Sequence, residues 1–275
     1  MTANQFKLWV LLPAFNEEDA VGVLLPKITE FLRAQNYQFE IVILDDGSQD
    51  RTKSIAQSFS SSLPVTVLSH PRNRGLGETI RDLFEYASDK ANAEDILVRL
   101  DCDDTHDPIF IRDMVEKIGE GYDVVTASRF AGGGEQKGVN WYRGMLSFSA
   151  TLYMRIFFSV PGIREYTCGY RAYRASVVKT AVEVFGRHFI QLTGLGFSCT
   201  LEKLLKFNLL KCRFAEVPFV LHYDRKKSKS KMVGFETITG YFVMTFFYYW
   251  PWGGWRNKFM RPSSVQNEKS EKGIS

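Results

Sequence analysis

The sequence predicts an α/β fold, a mixed and mostly parallel sheet with helices on both faces. Three observations carry this expectation. Short, almost wholly apolar runs alternate with amphipathic stretches of about ten to fifteen residues. The runs end in polar or acidic turns, where ligands of such sheets belong. The chain has 275 residues, 45% of them apolar and 24% charged, enough to bury a core without disulfide or metal staples.

Phe6 to Leu12 (FKLWVLL) reads as the first strand, and a helix follows the Asn16-Glu17-Glu18-Asp19 start signal to about Ala34. Phe39 to Leu44 (FEIVIL) is the second strand, closed by Asp45-Asp46-Gly47-Ser48 and followed by a helix over Gln49 to Ser60. Val65 to Ser69 is a strand, Asn73 to Gly77 a turn and Glu78 to Lys90 a helix. The strand Asp95 to Leu100 ends in Asp101-Cys102-Asp103. Asp107-Pro108 reads as an N-cap followed by proline at the first helical position, opening a helix to Ile118. A strand at Asp123 to Ala127, a glycine loop at Gly132 to Gly134, and apolar helices over 141–160 and Phe197 to Phe207 follow. Arg213 to Val220 is the last core strand.

The net charge is 35 − 31 = +4. Arg225 to Lys231 (RKKSKSK) carries +5 and residues 256–275 carry 5 − 2 = +3, so the remainder is 4 − 8 = −4. A basic C-terminal quarter on an acidic body suits lipid headgroups or phosphates and argues against a nucleic-acid partner. Cys102, Cys168, Cys199 and Cys212 lack metal spacing and fit a reducing compartment. The N-terminal apolar run, interrupted by Pro13 and three acids, is not a secretory signal. Thr237 to Trp255 holds 19 uncharged residues, nine of them aromatic. Broken by Pro251, Gly253 and Gly254, it reads as an interfacial anchor, with a single span or a covered helix as the other readings.

Asp101-Cys102-Asp103 is the strongest local signal for chemistry, because alternate residues of an extended chain can present two carboxylates to one divalent cation. A calcium loop starting at Asp101 would need glycine and glutamate where His106 and Arg112 stand. DCDDT also resembles the nucleophile motif of haloacid-dehalogenase phosphatases, which lies near the start of its domain and not after a long α/β stretch. The turn Pro13-Ala14-Phe15-Asn16-Glu17 and the loop Asp45 to Ser48 could bind ribose or base, or serve as helix caps through Asn16 and Asp50. Arg72 to Gly77 is glycine-rich but has Ile80 where the dinucleotide fingerprint needs glycine, and no phosphate-loop motif occurs.

Seven blocks (LLPAFNEE, VILDDGSQDRT, HPRNRGLGET, RLDCDDTHDP, TASRF, YTCGYRAYR and VPFVLHYDRKKSKSKM) stand in the order and spacing of family 2 glycosyltransferases. Over residues 8–232 the chain resembles the dolichol- or polyprenyl-phosphate mannosyltransferase type. The resemblance implies a GT-A (Rossmann-like) fold, a nucleotide-diphosphate sugar donor, Mg²⁺ or Mn²⁺, and inverting transfer to a polyprenyl or dolichyl phosphate at the cytosolic membrane face. It places nucleotide-sugar contacts at Pro13, Ala14, Glu17, Asp45, Asp46, Asp101, Asp103, Arg225 and Lys231, with the metal on Asp101 and Asp103. Arg129, Arg143 and Ser147 would receive the lipid phosphate. Asp103, Arg129, Arg143, Arg225 and Lys231 would be the catalytic set, with Arg225, Ser230 and Lys231 in a loop closing over the diphosphate. Thr105 stands where the mannosyltransferases usually have glutamine, and Ser228 replaces the loop glycine.

A hydroxyl acceptor needs a carboxylate base, and no Glu-Asp pair occurs between Gly186 and Phe207. A phosphate monoester is already ionised and needs only cations to position it. The alternative remains a family 2 enzyme acting on a saccharide or small-molecule hydroxyl. The expected organisation is a catalytic domain over 1–222, a basic loop and aromatic membrane-associated segment over 223–255, and a basic tail over 256–275. A membrane-anchor subunit or homo-oligomerisation could complete the attachment.

Overall fold

The computed structural model describes residues 6–139, 141–225, 234–250 and 254–256, and only the backbone of residues 142, 143, 146, 234 and 235. Its first half repeats one unit. Strand β1 (Lys7–Ala14) leads to α1 (Glu18–Ala34), β2 (Gln38–Asp45) to α2 (Thr52–Phe59), and β3 (Val65–Ser69) to α3 (Leu76–Lys90). Strand β4 (Ile96–Arg99) precedes a 3₁₀ turn and α4 (Ile111–Gly119). Then come β5 (Val124–Ser128), β6 (Glu135–Lys137), α5 (Trp141–Phe158), β7 (Arg171–Arg174) and α6 (Ala175–Phe185). The described chain closes with α7 (Ser198–Leu209), β8 (Phe214–Pro218), β9 (Val220–His222) and α8 (Gly234–Tyr249).

Seven strands form one sheet in the order β3-β2-β1-β4-β7-β5-β8, and only β7 runs against the rest. The carboxyl ends of β1, β2, β4, β5 and β8 therefore meet on one edge. Pleating divides the core between the two faces. Leu8, Val10 and Leu12 of β1 join Val21, Leu25 and Ile28 of α1 and Met114 of α4 on one face. Trp9 and Leu11 join Leu83 of α3, Val178 of α6 and Leu204 of α7 on the other. Chain order reverses at β1, which has β2 on one side and β4 on the other, and such a switch point opens a crevice for ligand.

Two expectations need correction. The sequence reading passes over β7 because its RAYR pattern looks polar, yet Arg171 is buried in the sheet. The single last strand expected over Arg213 to Val220 is two: β8 ends at Pro218, which has no N–H for the ladder, and β9 pairs with β6 in a separate two-stranded sheet. The Asp107 cap is present, its carboxylate accepting the Ile109 N–H. Asn16 does not cap α1 but ties the first two turns together, whereas Asp50 satisfies the first N–H of its own helix α2 and also that of α1. Asn16 accepts the Gln49 N–H at 2.8 Å, and Asp50 accepts the N–H groups of Glu18 (3.2 Å) and Thr52 (2.9 Å).

No described helix is long and apolar enough to cross a membrane. At 16 residues α8 reaches about 24 Å, short of a hydrocarbon core of about 30 Å.

Candidate active site

The crevice begins at Pro13 and Ala14, where the Ala14 carbonyl accepts the Asp46 N–H at 2.8 Å and fixes the two turns side by side. Glu17 is buried beneath them and donates its N–H to Thr52 Oγ1 at 2.7 Å. Asp45 is buried at the end of β2, with Oδ2 accepting the Ser48 N–H at 3.3 Å and Oδ1 holding no hydrogen bond. An orphaned carboxylate oxygen at a strand end is a natural acceptor for a ligand hydroxyl or base N–H.

Asp46 is engaged differently. Its Oδ1 accepts the Arg74 N–H at 2.9 Å and lies 2.6 Å from His70 Nδ1, while Oδ2 accepts the Gly75 N–H at 2.8 Å. The carboxylate thus builds the loop between β3 and α3. Gly47 lies where that loop crosses, at φ +69°, and a β-carbon there would meet the Arg72 backbone at 2.5 Å.

Asp101 and Asp103 follow β4 on the same edge. Arg99, itself buried, donates to Asp101 Oδ1, and the Asp101 N–H donates to His106 Nδ1 at 3.1 Å. Burial lowers the His106 pKa against the pull of Asp101 and Asp103, so this ring adds no cation at neutral pH. Asp103 Oδ1 accepts the Thr105 hydroxyl at 2.6 Å and its N–H at 3.2 Å. Thr105, where the resemblance called for glutamine, therefore orients a carboxylate. No group of three or more His, Cys, Asp or Glu among the described residues could enclose a metal. Two carboxylates still fit Mg²⁺ or Mn²⁺, hard cations that complete their oxygen shell with substrate phosphates and water.

The loop from Asp101 to Asp107 is tied to the chain segment entering the basic run. His106 bridges Leu221 of β9, and the His222 N–H donates to the Thr105 carbonyl at 3.1 Å. Three residues on, Arg225 Nη1 meets Asp107 Oδ2 at 3.1 Å. The run Arg225 to Lys231 contains no acid. Arg225 nevertheless has a partner, a carboxylate 118 positions earlier. Ser228, Ser230 and Lys231 lie outside the described residues.

Arg129 leaves the end of β5 and turns inward. Its Nε donates to one oxygen of Glu165 at 2.7 Å, and its Nη2 donates to the other at 2.9 Å, to Thr167 Oγ1 at 2.8 Å and to Ser147 Oγ at 3.3 Å. Burial opposes the charge on both groups, and their mutual attraction outweighs it, lowering the Glu165 pKa and raising that of Arg129. Nη1 makes no hydrogen bond among the described residues. Ser147 lies on α5 four residues after Arg143, whose side chain lies outside the described residues.

Glu165, Asp107 and Arg99 are the site residues that sequence reasoning missed as such. Glu165 immediately precedes the YTCGYRAYR block, and Asp107 was read only as a cap. Arg99 had a signal too, an arginine in an otherwise apolar strand. Glu202 is the acid in the stretch from Gly186 to Phe207 that holds no Glu-Asp pair. It is fully buried, accepting the N–H groups of Gln191 (2.7 Å) and Leu192 (2.9 Å) and pairing with Lys206.

The model of Glycosyl transferase family 2 matches residues 9–181. The dolichol-phosphate mannosyltransferase of Pyrococcus furiosus is 33% identical over 238 residues, covering 86% of this chain and 61% of that protein. The polyprenol monophosphomannose synthase of Mycolicibacterium smegmatis is 31% identical over 172 residues, 62% of each chain. The undecaprenyl-phosphate mannosyltransferase of Micrococcus luteus is 29% identical over 231 residues, 83% of this chain and 88% of that one. The chain thus spans about three fifths of the length of the first two relatives. Glucosyl-3-phosphoglycerate synthase from Mycobacterium tuberculosis, crystallised with Mn²⁺, UDP-glucose and glycerol 3-phosphate, shares the fold at a TM-score of 0.60. It is 19% identical, with 88% of this chain and 79% of that one covered. The family model covers more than half of the 275 residues, and the chain belongs to glycosyl transferase family 2.

Proposed function

We propose that this chain transfers a sugar, with inversion, from a GDP- or UDP-sugar to a polyprenyl or dolichyl phosphate at the cytosolic face of a membrane. One observation carries the proposal. Helix α5 holds Ser147 within reach of Arg129 and also exposes Trp141, Met145, Phe148, Leu152 and Ile156 at spacings of three and four residues. A phosphate-binding hydroxyl and an apolar stripe on one helix suit an acceptor that is anionic at one end and hydrocarbon at the other.

Helix α8 extends the stripe with Ile238, Phe242 and Phe246. It is locked to α5 through Tyr153 Oη and Thr245 Oγ1 at 2.7 Å and through the Tyr153 and Phe242 rings at 5.5 Å. The expected interfacial segment thus gains a second helix. The relatives named for dolichol, polyprenol and undecaprenyl phosphates support the same acceptor class.

In this reading Asp45 Oδ1 accepts from the nucleoside, and Asp101 and Asp103 hold the cation against the donor diphosphate. The cation, when bound, would neutralise charge on the leaving diphosphate. Arg225, released from Asp107, would add to that stabilisation, as would Lys231. Arg129, held by Glu165, presents Nη1 beside Ser147 to the acceptor phosphate, with Arg143 supplying the second cation. The attacking phosphate oxygen is ionised at neutral pH, so no side chain needs to take its proton. Glu202, the acid nearest the position of a sugar-hydroxyl base in sequence, is occupied by two backbone N–H groups and a lysine.

The test is a transfer assay with Mn²⁺ or Mg²⁺, radiolabelled GDP and UDP sugars and a short polyprenyl phosphate. Label should enter the organic phase and disappear with Asp103→Ala and with Arg143→Ala. Label that passes only to a water-soluble sugar would overturn the phosphate-acceptor reading in favour of a hydroxyl acceptor.

A further inference from the structure

Beneath the donor edge lies a layer with an excess of buried cations. Arg99 on β4 and Arg171 on β7 are directly opposed in the antiparallel register, and each is 1% exposed. Two like charges facing each other across a ladder destabilise it, and burial sharpens the repulsion. A third cation, Lys203, enters the same layer from α7, also 1% exposed. Its Nζ has no hydrogen-bond partner and lies 4.5 Å from the centre of the Phe84 ring and 5.7 Å from that of Tyr173.

Polar atoms left without partners collect here. Arg99 Nε, Arg171 Nε, Lys203 Nζ and Thr126 Oγ1 are buried without a hydrogen bond among the described residues, while the Tyr173 hydroxyl faces Arg171 and that of Thr200 faces Cys199. Thr126 is the β5 register partner of Arg171, and Tyr173 lies two residues along the same face of β7. Arg171 spends Nη1 on the Thr200 carbonyl at 2.8 Å and Nη2 on the Tyr166 carbonyl at 2.9 Å, which carry no full charge. Among the described residues, the carboxylate paired with these cations is Asp101, through Arg99. Cys199 adds no negative charge, because burial raises its pKa. Buried charges without counter-charges are among the costliest features a fold can carry.

We propose that this layer binds a halide-sized inorganic anion, chloride in the cell, between Arg99, Arg171 and Lys203. The basic groups are closed off from solvent, which excludes a phosphate ester. A monovalent ion accepts from several donors at once, as the unbonded Nε–H, ammonium and hydroxyl groups require. Water could satisfy donors but would leave the charge. The alternative state is a neutral lysine, toward which burial and the nearby arginines drive Lys203.

The test is to crystallise the full chain with sodium bromide and collect at the bromine edge, beside melting curves in sodium chloride, bromide and gluconate at one ionic strength. The expected result is a bromide peak within contact of Lys203 Nζ and a Tm about 3 °C or more higher in halide than in gluconate. Lys203→Met should lose both. If that variant fails to fold, the wild-type peak decides. No peak at this position, whatever the salts do to Tm, overturns the proposal and leaves a neutral lysine among waters.

Discussion

Arg129 and Glu165 meet edge to edge, Nε on one carboxylate oxygen at 2.7 Å and Nη2 on the other at 2.9 Å. Glu165 also accepts the N–H groups of Thr167 (3.0 Å) and Cys168 (3.1 Å), so the orientation of the guanidinium is set by the loop that precedes β7. Removing one partner of such a buried pair strands the other charge. Glu165→Gln should cost about 3–5 kcal/mol in urea unfolding. It should also lower transfer by about 10- to 100-fold through misplacement of Arg129. If Glu165→Gln retains both stability and rate, Arg129 does not depend on this pair.

The same pair sets an acid limit. Burial works against ionising Glu165, but Arg129 and the Thr167 hydrogen bonds outweigh it and hold the carboxyl below its ordinary 4.5. The unfolded chain then binds the proton more readily, so the contribution is complete above the unfolded value and is lost as pH falls through the folded one. The urea midpoint should hold down to about pH 5 and then fall, less steeply in Glu165→Gln than in wild type. Equal slopes would refute the linkage.

Gly169 gives Arg99 its path to Asp101. A β-carbon at this position would lie 1.4 Å from Arg99 Nη1, so the guanidinium would have to shift from its place beside Asp101. Gly169→Ala should destabilise by about 1–3 kcal/mol or more and weaken Mn²⁺ binding, measured by electron paramagnetic resonance. Unchanged stability would mean that Arg99 can take another route.

Thr105 holds Asp103 with its hydroxyl at 2.6 Å. Partners of metal-ligating carboxylates are typically worth about 10–100-fold in affinity. Thr105→Val should therefore weaken Mn²⁺ by about tenfold, and Thr105→Ser should restore it. If valine binds Mn²⁺ as well as threonine does, the hydroxyl only shapes the loop.

The apolar face of α5 and α8 is tested by Phe148→Asp with Phe246→Asp. Both rings are more than half exposed, so stability should change by less than about 0.5 kcal/mol. Sedimentation with anionic vesicles should fall while binding of soluble nucleotide sugar persists. Undiminished sedimentation would locate the membrane contact elsewhere.

The amino-acid sequence by itself determined the repeating strand and helix units, because β1, β2 and β4 are buried on both faces and read as unbroken apolar runs. It also determined that Pro13 to Glu17, Asp45-Asp46 and Asp101 to Asp103 sit at strand ends, since turn residues and proline punctuate those runs. Tertiary structure decided what each polar group does there. Asp45 and Asp46 are adjacent and equally buried, yet one keeps an unbonded oxygen and the other is consumed by the Arg74 and Gly75 N–H groups. Arg129 and Arg225 look like free cations in the sequence, and their partners Glu165 and Asp107 lie 36 and 118 positions away. Strand β7 was hidden because Arg171, buried, and Arg174, half-buried, imitate a surface pattern. Local propensity is written in neighbouring residues, whereas ion pairing across a sheet edge depends on which strands the fold sets side by side.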